Sequence, residues 1–271
     1  MRRGTMNALL ALALAVPASA AGQAREDGRG MTERAAAAAL MDSRLTPERD
    51  RALALALELG PRAGAELRGA VIDAAWAEWR GETDRPEGSE AVLDYMDAVA
   101  ALRDPRAIPF LIATSGTGQW AANALADLGA AAFPSVLAAA SDPGEYSLRV
   151  AGGVTALRFM VEDGSLDTSQ LERVRKVARD RLSGTQDYMV ARDAVRLAVV
   201  IGDPELRRTV ERIAADRAAA ETLVSPYLSD GARTRFYEDY LNSIQDDACR
   251  LLAGPVDFGP FRRPGPASRK N

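Results

Sequence analysis

The stretch ALRDPRAIPFLIATSGTGQWAANALADLG (residues 101–129) holds two short apolar runs separated by small, turn-forming residues, which is the pattern of a helical hairpin. The pattern recurs along the chain. Aspartate accepts the free N–H groups of a helix start, and proline at the first helical position loses no hydrogen bond. Asp104-Pro105, Asp142-Pro143 and Asp203-Pro204 are therefore read as helix starts, with Thr46-Pro47 and Ser225-Pro226 as variants. Glycine follows the last apolar residue at Leu59-Gly60, Leu128-Gly129 and Ile201-Gly202, which marks helix stops. Helices are predicted over 33–42, 47–59, 62–79, 89–102, 105–114, 118–128, 131–140, 145–162, 167–182, 186–201, 204–223 and 230–252. Their loops are short, so successive helices are expected to pack antiparallel. The one longer polar loop, RGETDRPEGS around residues 80–89, reads as a seam between subhalves.

Within 62–79, Leu67, Ala70, Val71 and Ala74 share one stripe while Trp76 falls on the opposite side. Two apolar sides suit a helix sandwiched between neighbours better than one lying on a globule. Aligned on their ends, ALALALEL, AANALADL, VAGGVTAL and DAVRLAVV become equivalent second helices, and the unit repeats every 35 to 43 residues. The fold class expected over 33–253 is all-α: an α-solenoid, a superhelical stack of about six antiparallel helical hairpins. In the last helix Tyr237, Leu241, Ile244, Ala248 and Leu251 run at steps of four and three. That single stripe suits a terminal cap, and a partner-binding helix would carry the same pattern.

LRDPRAIPFLI (102–112) resembles the first-helix pattern of bacterial HEAT-like repeats, the set that includes the phycobilin-lyase-type repeats. LAAASDPGEYSLRVAGGVTAL (137–157) is similar to their aspartate turn and arginine-led second helix, and MVARDAVRLAVVIGDPEL (189–206) is a further degenerate copy. The resemblance covers about 100 to 215 and departs from the pattern at Trp120, where arginine is usual, and at Gly152-Gly153. It implies that second helices line the inner surface. It says little of function, because the pattern consists of packing positions.

The ends of the chain add an address. MRRGTMNALLALALAVPASA (residues 1–20) has a positive start, a short apolar core and a small-residue ASA site, so it reads as a cleaved secretory signal peptide. The apolar run is too short to span a bilayer, and no stable membrane anchor is expected after cleavage. Residues 21–32 form a small, charged leader expected to be disordered, and 254–271 a Pro/Gly-rich tail that ends basic. The formal charge of −4 includes Arg2 and Arg3, so a mature chain is about two units more acidic. An acidic surface argues against nucleic acid as a partner. Cys249 is the only cysteine, which excludes an intrachain disulfide and reads as a small hydrophobe or a site of intermolecular pairing.

Histidine is absent, which removes Ser-His-Asp and Cys-His arrangements and Cys/His zinc sites. TSGTGQ (114–119) lacks the strand and lysine of a phosphate cradle and reads as a turn. Carboxylates remain as acid–base candidates: Asp94 with Asp97, and Glu238, Asp239, Asp246 and Asp247 on the last helix; each group reads first as a solvated acidic face. Arg51, Arg149 and Arg192 stand at equivalent repeat positions, either as a structural ladder bonding adjacent turns or as a carboxylate-binding row. Trp120, Tyr146, Arg149, Tyr188 and Arg192 are the candidate partner-binding residues, since aromatic side chains and arginine dominate interface hot spots, although Trp120 taken alone reads first as a core-packing residue. The expectation is an exported, periplasmic or extracellular scaffold that binds a protein or peptide, without catalytic residues, metal or cofactor. A carboxylate-based or bilin-lyase-like enzyme and a purely structural envelope subunit remain the alternatives.

Overall fold

The computed structural model describes residues 31–42, 46–81, 89–228 and 231–254. The expected signal peptide, the leader up to residue 30, the loop 82–88 and the tail from 255 lie outside the described residues. Within them the chain is all-α. Its helices are α1 (Glu33–Met41), α2 (Thr46–Leu59), α3 (Ala65–Trp79), α4 (Ser89–Leu102), α5 (Ile108–Thr114), α6 (Gln119–Leu128) and α7 (Phe133–Ser141). They continue as α8 (Ser147–Glu162), α9 (Thr168–Leu182), α10 (Tyr188–Ile201), α11 (Pro204–Ala215), α12 (Arg217–Leu223) and α13 (Tyr237–Ala253).

The glycine stops fall where the pattern put them. Gly60, Gly129 and Gly202 follow Leu59, Leu128 and Ile201 with φ of +54°, +54° and +70°, a region that costs any other residue backbone strain. Two of the aspartate starts also hold. Asp203 accepts from the N–H groups of Glu205 and Leu206, and Asp104 accepts from that of Arg106. Asp142-Pro143 does not start a helix. The Asp142 carboxylate accepts from Gly144 N–H at 2.8 Å and closes a turn, so α8 begins only at Ser147. Ser225-Pro226 fails likewise: Ser225 Oγ accepts from Tyr227 N–H, and the backbone runs extended into an isolated antiparallel bridge between Tyr227 and Arg233. The helix expected over 204–223 is broken at Asp216, whose extended backbone (φ −124°, ψ 115°) and carboxylate cap a fresh helix, α12.

Packing follows chain order. α1 lies against α2 and α3, α2 against α4, α4 against α6, α6 against α8, and α8 against α10, while each first helix also packs on its hairpin partner. α13, rather than α12, takes the place beside α10. Among the described residues, no substantial contact joins helices more than three positions apart in chain order. Packed pairs with neighbour-only contacts are compatible with a helical repeat fold. α3 shows the sandwiching expected of it: Leu67, Ala70, Val71 and Ala74 are buried on one side. On the other, Trp76 meets Phe110 edge-on at 5.5 Å.

The middle of the chain is the most enclosed. Every residue of α8 from Val150 to Met160 is buried. The glycine pair that departs from the HEAT-like pattern makes this approach fit. A Cβ on Gly152 would stand 2.3 Å from the Ser115 carbonyl oxygen, and one on Gly153 3.0 Å from the Ala140 nitrogen. TSGTGQ is the turn that α8 presses against.

Candidate functional site

The five residues singled out in the sequence sit at the starts of alternate helices. Trp120 is the second residue of α6, Tyr146 the N-cap of α8 and Tyr188 the first residue of α10. Arg149 and Arg192 lie three and four residues beyond the two tyrosines, on the same helices. An aromatic pair, Phe236 and Tyr237, recurs at the start of α13.

These side chains divide into an open part and a tied part. Trp120 is 39% exposed and Tyr146 50% exposed. Trp120 folds back over Gly118, where a Cβ would stand 2.7 Å from the indole ring and where φ is +147°. That glycine therefore serves both the turn and the ring. Arg149 Nη1 reaches Glu145 Oε1 at 3.0 Å across one turn of a half-exposed surface. The tied part lies against α13. Tyr188 stacks on Tyr240 with ring centroids 4.2 Å apart and planes 9° from parallel, and its hydroxyl shares a 2.9 Å hydrogen bond with Ser243 Oγ. The Arg192 guanidinium stands 5.7 Å from the Tyr188 ring, and its Nε lies 3.5 Å from Asp193 Oδ1.

The arginine ladder does not form in the way its spacing suggests. Arg51 bonds Glu48 and the Pro47 carbonyl and Arg192 pairs with Asp193, each on its own helix, while Arg149 reaches back to Glu145 in the turn just before α8. A guanidinium near a helix start reaches the preceding turn more easily than the next repeat. The bonds between helices come from arginines the sequence reading passed over. Arg181 of α9 donates to the carbonyls of Ala140 and Asp142 at 2.9 and 3.1 Å, closing the end of α7. Arg106 and Arg68 converge on the buried Asp104, at 2.7 and 3.6 Å. The hydrogen bond from the Arg106 side chain, above all, holds the Asp104 carboxyl below its usual range.

A second constellation crosses α8, α10 and α13 and was also missed. Thr155 donates to Asp193 at 3.1 Å, and Arg196 reaches Asp193 at 3.4 Å and Asp247 at 2.7 Å; Arg250 completes the pairing of Asp247. Nearby on α8, Arg158 is only 1% exposed and pairs with Glu162 at 2.9 Å. Burial pulls its guanidinium below the usual value, an effect opposed by Glu162 and Asp193. The only sequence trace of this network was Asp247, read as part of an acidic face. Asp193 and Asp247 converge as catalytic carboxylates would. Each is buried and paired with arginine, an arrangement that fixes the three helices relative to one another.

The other acidic candidates stay apart from this network. Glu238 pairs with Arg217, while Asp239 and Asp246 are exposed on the back of α13. Among the described residues no three Cys, Asp or Glu side chains gather as a metal ion would require. Among the described residues, too, no helix is long and apolar enough to cross a membrane. An open groove of about 390 Å³ runs between α1 and α3, lined by Ala37, Met41, Gly69 and Ala70 with Arg34 and Asp73 at its rim. Cys249 is exposed, with its thiol 3.9 Å from the Ala214 carbonyl oxygen. Comparison of the chain with protein-family models, with curated proteins and with solved structures returned no match.

Proposed function

We propose that this chain is an exported HEAT-like α-solenoid that binds a protein or peptide partner in the cell envelope, through the surface carrying Trp120, Tyr146 and Arg149 and continuing to Tyr188 and Arg192. The observation that carries the reading is the recurrence of an aromatic side chain at the start of the alternate helices α6, α8 and α10, with Trp120 and Tyr146 left open to solvent. In a stack of hairpins, alternate helices run parallel, so their starts stand side by side along one edge. Large amphipathic rings beside an arginine are the groups from which interface anchors are made. Export rests on the signal-like residues 1–20, and the neighbour-only packing supports the solenoid.

The test compares Arg149→Ala and Arg192→Ala with the wild type in affinity capture from envelope extracts, with melting followed in parallel. Arg149 forms only a half-exposed pair, worth less than about 1 kcal/mol, so its loss should weaken capture and leave melting unchanged. Arg192 stands beside the buried Asp193, and its removal should lower both. Undiminished capture by Arg149→Ala would take that residue out of the site.

A further inference from the structure

We infer that α13 is a detachable latch that covers Tyr188 at one end of the proposed binding surface and opens as a unit while the rest of the stack stays folded. The inference rests on the proposed binding reading only for its consequence. The opening itself follows from how α13 is held. Among the described helices, its substantial contacts are with α10, α11 and α12. The described residues that lead into it, 224–228 and 231–236, are not helical and include the isolated Tyr227–Arg233 bridge. An element tied to one end of a stack through a non-helical connection opens at lower cost than one enclosed on several sides. α8 is enclosed in that way, with Val150 to Met160 all buried.

The seam under α13 combines apolar and polar contacts. Leu241, Ile244, Ala248 and Leu251 supply an apolar stripe, but the bonds beside it are polar. Arg196 clasps Asp247 at 2.7 Å, Gln245 donates to the Ile213 carbonyl at 3.2 Å, and Tyr188 shares its hydroxyl bond with Ser243. Arg217 reaches both Asn242 and Glu238. Such contacts are directional. They fix one docked position, yet each group regains water when the helix leaves, so little is lost on release compared with an apolar seam of equal area. Opening would separate Tyr240 and Ser243 from Tyr188, freeing the face and the hydroxyl of a ring that the docked helix covers.

Hydrogen exchange on the full chain, read by mass spectrometry, tests this without a partner. In the wild type, amides of 237–253 should exchange at least tenfold faster than those of 147–162. Asp247→Asn should raise exchange in 237–253 by a further tenfold and leave 147–162 unchanged. Nitration of Tyr188 by tetranitromethane should rise several-fold in Asp247→Asn. A common exchange rate for the two segments in the wild type would overturn the latch, and that reading survives even if the single variant fails to fold. Faster exchange of α13 with unchanged Tyr188 reactivity would overturn its covering role. Neither result depends on whether the surface binds a partner, so failure of the latch leaves the binding proposal separately open to its own test.

Discussion

Asp104 shows how much one buried side chain can carry. It is 4% exposed, it receives the backbone N–H and the guanidinium of Arg106, and Arg68 approaches it from α3. Its pKa is lowered, so the folded state binds that proton less readily than the unfolded chain. Such a group contributes stability above the unfolded value, near pH 4, and loses it as pH falls through the folded value. Asp203 acts in the same direction through the N–H groups of Leu206 and Glu205. Asp104→Asn should therefore cost about 2 kcal/mol at neutral pH and flatten the acid side of the stability profile, as urea unfolding from pH 2 to 7 would show. An unchanged midpoint with the same acid slope would contradict it. Gly152 is the apolar counterpart: Gly152→Ala sets a methyl group against the Ser115 carbonyl and should cost about 3 kcal/mol, measurable by thermal melting. Asp104 was legible as a cap because its proline and its spacing are local. The need for glycine at 152 was visible only as a departure from pattern, since the atom it avoids lies 37 residues away.

Among elements, the helices themselves were the most legible feature. Their apolar periodicity and glycine stops act within a few residues, and α2, α6 and α10 end at Leu59, Leu128 and Ile201 as read. Where a polar residue had two local choices, the reading went astray. Asp142, Ser225 and Asp216 all bond the backbone two residues ahead, which closes a turn in the first two cases and caps a new helix in the third. Bonds between elements were not legible, because no spacing rule connects Arg181 to the end of α7 or Arg196 to Asp247. Arg181 fills the place expected of the arginine ladder: burial draws its guanidinium below the usual value, and two carbonyls accept from it. Arg181→Met keeps the stem and deletes those bonds. It should destabilise the chain by about 2 kcal/mol, measured by urea unfolding, whereas the exposed Arg207→Met should change it by less than about 0.5 kcal/mol.

At the scale of the whole molecule, packed helix pairs with contacts confined to near neighbours leave one consequence for function. In the proposed stack, the groups that would meet a partner are presented along a surface. The candidate residues reached that surface unequally. Trp120 and Tyr146 are open because they begin helices whose next turns are already buried, while Tyr188 is stacked on Tyr240 of α13 and Arg192 is held beside Asp193 on its own helix. The sequence showed which residue types recur, and only the packing of α13 shows which of them are covered. The most direct measurement is capture from envelope extracts by the double variant Trp120→Ala/Tyr146→Ala beside the wild type, at matched melting temperature. Both side chains are exposed, so the variant should melt within a few degrees of the wild type and lose the partner that the wild type retains. Equal capture of the same partner by both proteins would contradict the binding surface proposed here.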